Sequence, residues 1–459
     1  NYLALDGYSK RKIFFPTELL HGLYDGGHGA GLEDYWLRLW NHPLSAGGFL
    51  WVFADEAVAR TDRNGELDAD GNHAPDGIVG PYNEKEGSFY TVKKVWSPIY
   101  FEKRYITPQF NGVLNIENRH HYTNLKKCSF IVEWLTYPSP SQNGAEKIKF
   151  TETIIVDLAP DQKGKLKITL PPNWKSSQVL KIIAQSAEGT EIATWSYPVN
   201  TPTIISNQIV QSGDESEIVL SEKGDNYRIE VKNMVYAFDK KNGQLVSVQK
   251  ENDSVPLKDG PVFVSRDKQV ESVKAVKNNN GSVAINTVYA EKKDSVSWII
   301  QKNGLVELTV AYEPNKDASY AGFSFSFPEE NISGMKWMGQ GPYRVWKNRM
   351  SDTSFEFKGY LAETYWVDVK VKKGLGFKVY VKSKDVFFRM LTPDQPEDGR
   401  STIVDFPAGD ISFLHGINAI GTKFKGTVNL GPQSSKNYFN ASRIDGRKLR
   451  MSLVFDFVN

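Results

Sequence analysis

One carboxylate near the start of the chain stands in a setting that suits catalysis. Glu18 lies near the end of the mostly apolar stretch Phe14–His21, which reads as a short strand, and His21 follows it by three positions. The glycine-rich stretch 22–31 comes next, and its glycines allow the backbone of a loop to stay close to a substrate that approaches the carboxylate. A (β/α) barrel presents a catalytic group at its rim in the same order: a strand, the acidic residue, a flexible loop and then a helix.

A second group of candidate residues follows the next apolar segment. Ala46–Phe53 is almost continuously apolar, which predicts a strand buried on both faces of a parallel sheet. Trp51 stands near its end, and the polar residues of the following loop are Asp55, Glu56, His73 and Asp76. Because strand ends of a barrel converge on one rim, we expect these groups to meet there.

Helical and loop signals surround these strands up to about residue 98. Leu32, Tyr35, Trp36 and Leu39 follow the i, i+3, i+4, i+7 spacing of an amphipathic helix. A polar loop is predicted from Arg60 to Pro75, and a helix is predicted over Ser88–Val95. Residues 1–98 therefore read as α/β, with strand and helix units of the kind that build a (β/α) barrel.

After residue 98 the pattern becomes almost entirely β. Alternating segments such as Val113–Ile116, Phe130–Trp134, Lys165–Leu170 and Val179–Ala184 predict an immunoglobulin-like β-sandwich over 99–203, with a linker around Val199–Thr203. Hairpin signals at Lys241–Gln244 and Asn278–Gly281 continue the pattern. Residues 204–459 are predicted to form one large antiparallel β-sandwich, so the fold class is mainly β.

Composition excludes several functions. The 56 Lys and Arg residues nearly balance 54 Asp and Glu, so a nucleic-acid partner is not expected. The single cysteine, Cys128, excludes an intramolecular disulfide, and its strand-like surroundings predict an inert buried thiol. No apolar run has the length of a membrane span. The chain starts with Asn1 and not Met, so we expect a processed product or a fragment, of unknown compartment.

Several ordered motifs together resemble glycoside hydrolase family 2, specifically the bacterial β-galactosidases that end in a small-chain domain. In that family a Cys-Glu-Tyr-x-His segment ends the seventh barrel strand, and Glu18 and His21 keep its Glu and His. Tyr35–Trp36 matches a Tyr-Trp on the next helix. Gly47–Asp55 follows the Gly-Gly-Phe-x-Trp-Asp-x-x-Asp of the eighth strand, except that Val52 replaces the first Asp.

The resemblance implies that residues 1–98 are the C-terminal part of a TIM barrel, and later segments extend it over essentially the whole chain. Asp76–Val79 and Tyr90–Lys93 correspond to further barrel motifs, and Arg119–Leu125 is similar to a signature of the second sandwich. Phe238–Leu245 is similar to the opening of the small-chain domain, a β-supersandwich. The stretch Gly339–Arg349 keeps the Gly, Pro and final Arg of a Gly-x-Gly-Pro-x-Glu-x-Tyr-x-Asp-Arg motif but replaces both of its acids.

The resemblance implies a retaining exo-β-glycosidase of the β-galactosidase type, acting on a glycoside or oligosaccharide. It assigns the nucleophile to Glu18, and it implies substrate contacts by His21, Trp51, Asp55, His73, Asp76 and Phe424. The family's acid/base glutamate and its magnesium ligands lie upstream of the matched region. We therefore expect no cofactor in this chain, with Mg or Na in the intact enzyme, a missing N-terminal part as partner, and an inactive isolated chain.

Two alternatives remain open. The chain could serve as a noncatalytic carbohydrate-binding or scaffold module, since two sandwich domains make up most of its mass. It could also belong to a family 2 enzyme with another specificity, such as a β-glucuronidase or β-mannosidase. The sequence leaves the sugar, the linkage and any homo-oligomer undetermined.

Overall fold

The computed structural model describes the greater part of the chain. The described residues are 12–18, 32, 36–69, 74, 77–85, 87–103, 106–142, 144, 146–210, 213–264, 267–290, 294–314, 320–340, 359–390, 407–416 and 448–457. The chain divides into two compact units. One comprises Asn1–Thr91 together with Ser212–Asn459, and the other comprises Val92–Gln211. Strands predominate in both, which confirms the expectation of a mainly β chain.

Short parallel pairings and one hairpin characterise the N-terminal region. Isolated parallel bridges join Phe14 to Ser45 and Ala54 to Val79, and residues 36–40 are helical. Strands β1 (Ala57–Arg60) and β2 (Glu66–Ala69) form an antiparallel hairpin. The prediction of an irregular loop from residue 60 to 75 is therefore wrong at its start. The adjacent Asn-Gly pair at 64 and 65 was an available turn signal, and both residues have positive φ.

The expectation of a strand buried on both faces over Ala46–Phe53 is also wrong. Phe49 and Phe53 are 59% and 63% exposed. In the described part of the chain this segment makes only isolated bridges, and the ring of Phe49 contacts the ring of Phe15 at a centroid distance of 5.4 Å. The helix α1 (Gly87–Val95), in contrast, confirms the helical signal over Ser88–Val95.

The unit Val92–Gln211 is a sandwich of two antiparallel sheets. Its strands are β3 (Ile99–Phe101), β4 (Val113–Asn118), β5 (Ser129–Thr136), β6 (Lys147–Ile154), β7 (Lys163–Lys167), β8 (Val179–Gln185) and β9 (Glu191–Pro198). The sheets have the orders β3-β4-β7 and β6-β5-β8-β9. Leu114 and Leu166 from the first sheet and Trp134 and Leu180 from the second are fully buried in one shared core. Alternating apolar positions thus turn toward the same layer.

A short helix replaces part of the predicted linker. Helix α2 (Pro202–Ile209) begins where Thr201 caps it, since the Thr201 hydroxyl accepts from the amide of Ile204 at 3.4 Å. Proline at the first helical position needs no amide donor there, so Thr-Pro is a good helix start. The sequence signal was present, and the linker prediction overlooked it.

The second large β region contains 17 strands among its described residues. They are β10 (Val219–Lys223), β11 (Asn226–Val231), β12 (Met234–Asp239), β13 (Leu245–Lys250), β14 (Asp253–Val255), β15 (Lys258–Phe263), β16 (Val270–Lys277), β17 (Val283–Tyr289), β18 (Ser295–Ile300), β19 (Val306–Tyr312), β20 (Ala321–Ser326), β21 (Ile332–Gln340), β22 (Gly359–Val371), β23 (Phe377–Val381), β24 (Phe387–Met390), β25 (Ile411–Gly416) and β26 (Leu449–Asp456). Neighbouring strands pair antiparallel, and both predicted hairpin turns connect consecutive strands, β12 to β13 and β16 to β17.

Long-range pairing closes this region around an aromatic core. β26 pairs with both β19 and β23, and β25 pairs with β20 and β24. Trp298 and Phe325 lie 6.1 Å apart by ring centroids, and Phe325 lies 5.9 Å from Phe455. Edge-to-face contacts of this kind add to the burial of the rings. The barrel, immunoglobulin-like and supersandwich assignments, and the boundaries at 98 and 203, stay predictions.

Candidate functional site

The segment that carries Glu18 is held beside the segment that carries Trp51. The amide of Phe14 donates to the carbonyl of Leu44 at 2.8 Å, and the amide of Phe49 donates to the carbonyl of Pro16 at 3.1 Å. The two segments run in the same direction. Glu18 lies two residues beyond Pro16, so its exposed side chain follows the carboxyl end of the paired stretch.

Trp51 lies at the carboxyl end of the second segment, as Glu18 does in the first. It lies two residues beyond Phe49, is half-buried, and is joined to Val52 by a cis peptide bond. The pairing of the two segments is the arrangement that the strand-end hypothesis requires for Glu18 and Trp51 to share a rim. A substrate contact by Trp51 stays a prediction.

Asp55 occupies a more enclosed position than a substrate-binding carboxylate usually does. It is 5% exposed, and its Oδ1 accepts from the amide of Gly77 at 2.9 Å. The amide of Asp55 in turn donates to the carbonyl of Val79 at 2.9 Å. These bonds join the end of one segment to the stretch 77–79, so the structure gives Asp55 a role in holding the backbone, and its substrate contact stays a prediction.

The other predicted site residues lie outside the described residues. They are His21, His73, Asp76 and Phe424. Most of the Gly339–Arg349 motif also lies outside them. Their roles therefore remain predictions, and the described geometry of the site rests on Glu18, Trp51 and Asp55.

Cys128 has the character predicted for it. Its side chain is 3% exposed, and burial raises the pKa of the thiol. A raised pKa keeps the sulfur protonated near neutral pH, and the thiolate is the nucleophilic form. The structure thus supports a packing role for this residue.

The described residues contain no group of three or more His, Cys, Asp or Glu side chains that could hold a metal ion. Of the helices described, none is long and apolar enough to cross a membrane.

A buried polar cluster that the sequence analysis did not single out lies in the large β region. The hydroxyl of Tyr312 and Nδ1 of His415 are 2.9 Å apart, and their rings are stacked. The ammonium group of Lys268 pairs with the buried carboxylate of Asp294 and lies 5.8 Å from the Tyr312 ring centroid. Burial lowers the pKa of His415 to about 4. Tyr312 and His415 lie on β19 and β25, and Lys268 and Asp294 lie just before β16 and β18. Because these positions are far apart in the chain, no local pattern marks them.

Comparison with known proteins relates the chain to β-galactosidases. No protein-family model matches it. It is 23% identical to a β-galactosidase of Priestia megaterium over 267 residues, which are 52% of this chain and 24% of that protein. It is 33% identical to a β-galactosidase of Actinobacillus pleuropneumoniae over 97 residues, which are 20% of this chain and 10% of that protein. A third β-galactosidase, from Leuconostoc mesenteroides, is 20% identical over 254 residues, 50% of this chain and 23% of that protein.

Similarity to solved structures is weak. The crystal structure of HI1317 gives a TM-score of 0.29 at 11% identity, covering 54% of this chain and 97% of that one. A β-D-mannosidase from Dictyoglomus thermophilum gives 0.18 at 13% identity, covering 46% and 22%. The relationship to glycoside hydrolases therefore rests on the sequence matches. They span about a quarter or less of each β-galactosidase and support a glycoside hydrolase relationship, without the finer assignment to family 2.

Proposed function

We propose that this chain forms the nucleophile-bearing part of a retaining β-glycosidase of the β-galactosidase type. The observation that carries the proposal is the similarity to β-galactosidases of three organisms. The exposed carboxylate of Glu18, beyond the end of a parallel pairing, is compatible with it.

In the proposed reaction a carboxylate oxygen of Glu18 attacks the anomeric carbon of a terminal β-linked sugar. The bond from that carbon to the leaving oxygen breaks as an acid group donates a proton to this oxygen, and water later hydrolyses the glycosyl ester. A retaining enzyme needs its two carboxyl groups about 5–5.5 Å apart. The motifs matched in this chain include no counterpart of the acid, so we assign it to another part of the intact enzyme.

The remaining predicted residues have auxiliary roles in this proposal. Trp51 provides an apolar wall for the sugar ring, and His21, His73 and Asp76 contact hydroxyl groups. Phe424 makes a further contact with the substrate. Mg or Na belongs to the intact enzyme. The isolated chain is inactive, because proton donation to the leaving group is missing.

Covalent labelling tests the nucleophile directly. The chain is co-expressed with the upstream part of its own reading frame and treated with a 2-fluoro-β-galactoside, and peptide mass spectrometry then locates the adduct. We expect the adduct on Glu18 and no turnover by Glu18→Gln. Glu66→Gln, an exposed acid on β2 that no part of the proposal uses, is the matched control and should keep turnover. An adduct on another residue, or an active Glu18→Gln, would reject the assignment.

Two further measurements test the sugar specificity and the division of the catalytic pair. Chromogenic β-galactoside, β-glucuronide and β-mannoside substrates, offered to the complemented enzyme, decide the sugar. Clear turnover by this chain alone would contradict the proposed division of the catalytic pair.

A further inference from the structure

A groove opens on the surface of the large β region, and none of its lining residues belongs to the N-terminal stretch that carries Glu18. Its volume is about 790 Å³. This value lies within the range of about 300–1,000 Å³ that small-molecule sites occupy. The groove is therefore large enough for a ligand of several rings.

The groove lies where the strand ladder is irregular. β13 pairs with β12 and β14 and contacts β15 by one pair only, Leu245 with Gly260. The pairing of β15 with β20 shifts register between Lys258 and Val262. Residues of β13, β14, β15 and β20, and of the stretch that follows β20, line the groove around this irregular pairing. Irregular pairing of this kind redirects side chains and often accompanies binding sites.

Several polar side chains that line the groove have hydrogen-bonding capacity that the fold leaves unused. Within the described part of the chain, the side chains of Ser247, Gln249 and Ser326 make no hydrogen bond. Oδ2 of Asp410 accepts from the amide of Phe327 at 2.7 Å, and Oδ1 can accept from a ligand. The ammonium group of Lys258 has its nearest carboxylate at 3.6 Å, on the neighbouring residue in the chain. Donors and acceptors are thus both available.

One wall of the groove is held rigidly. Asn331 Nδ2 donates to the carbonyl of Lys373 at 2.9 Å, and Asn331 Oδ1 accepts from the Lys373 amide at 3.0 Å. The ammonium group of Lys372 donates to the carbonyl of Glu330 at 2.8 Å. These bonds tie the wall 326–330 to the turn between β22 and β23. A wall that is ordered before binding lowers the entropy lost when a ligand binds.

We propose that this groove binds a neutral saccharide, as a second carbohydrate site separate from Glu18. Hydroxyl, amide and carboxylate groups match the many hydroxyls of a sugar, which both donate and accept. Val255 and Pro256 provide apolar surface for the C–H face of a ring. The lining also carries three carboxylates, Glu329, Glu330 and Asp410, and one ammonium group, Lys258. Carboxylates accept hydrogen bonds from sugar hydroxyls, and the excess of negative charge makes a polycation the competing class of ligand.

Titration calorimetry and saturation-transfer NMR test the proposal on the full chain carrying Glu18→Gln, so that the catalytic carboxylate plays no part. The probes are lactose and a β-1,4-linked galactotriose. The groove variant combines Gln249→Ala with Ser326→Ala. The matched control combines Gln269→Ala with Ser272→Ala, the same substitutions on β16 and just before it, outside the groove.

We expect saturable binding that the control retains and the groove variant weakens by about tenfold or more, because two hydrogen-bonding groups are lost. Absence of binding, equal binding by both variants, or displacement of the sugar by spermidine would overturn the proposal. The result is independent of the labelling of Glu18: the groove can bind sugar when no adduct forms there, and an adduct can form when the groove binds nothing.

Discussion

His415 should make the stability of the large β region depend on pH in a calculable way. Its side chain is buried, stacks on the ring of Tyr312 and shares a hydrogen bond with the Tyr312 hydroxyl. The neighbouring charges of Lys268 and Asp294 are already paired. Burial lowers the pKa of His415 from 6.5 to about 4 because the imidazolium ion would lose its hydration. The folded protein therefore holds this side chain neutral.

The sign and size of the effect follow from proton linkage. Between pH 6.5 and about 4 the unfolded chain binds a proton on His415 that the folded chain does not bind. The contribution of His415 to the free energy of unfolding is therefore fully present above pH 6.5 and falls as the pH falls, by about 2.5 kcal/mol between pH 7.5 and 4.5. Below the folded pKa this residue causes no further loss.

The variant His415→Asn isolates this contribution. Asparagine can place an oxygen near the position of Nδ1 but does not titrate, so its own cost is the same at every pH. Urea unfolding, followed by tryptophan fluorescence and circular dichroism at pH 4.5, 5.5, 6.5 and 7.5, gives both free energies. We expect the difference between wild type and variant to shrink by about 2.5 kcal/mol from pH 7.5 to 4.5. Parallel profiles would refute the reasoning, because protonation of other groups cancels in the difference.

Three further predictions concern packing. Phe130→Ala in the sandwich core should lower the free energy of unfolding by about 3–5 kcal/mol, whereas Tyr122→Ala, at a site 95% exposed, should change it by less than about 0.5 kcal/mol in the same urea titration. Native Cys128 should react with a thiol reagent only after urea unfolds the chain, and rapid native labelling would contradict its burial. Gly243→Ala should lower the melting temperature, because Gly243 has a φ of +72° and a Cβ there would collide with Oγ1 of Thr287; an unchanged melting temperature would contradict this geometry.

Local patterns predicted many elements correctly. The alternation over Phe130–Trp134 corresponds to β5, the helical signal over Ser88–Val95 corresponds to α1, and both predicted hairpins connect consecutive strands. The errors have local causes too. An Asn-Gly turn and a Thr-Pro helix start were overlooked, and apolar content alone was taken as a sign of burial on both faces of Ala46–Phe53.

The candidate site was likewise predicted only in part from the sequence. Residue order and spacing were enough to single out Glu18 and Trp51 and to suggest the β-galactosidase resemblance. They were not enough to assign a position to Asp55, whose burial depends on its bond to the amide of Gly77 across 22 residues. The cluster of His415, Tyr312 and their neighbours likewise has no local signature.

The sequence by itself therefore determined the mainly β character, the hairpins and the candidate nucleophile, because these depend on periodicity and on contacts between near neighbours. The tertiary structure alone decided which strands meet across long distances, as when β26 joins both β19 and β23. Long-range pairing of β25 with β20 and β24 likewise holds the strand on which His415 is buried, and the groove lies where the pairing of β13, β15 and β20 is irregular. Burial and cavities depend on the side chains that surround a residue in space, and the linear order of a single sequence does not specify those neighbours.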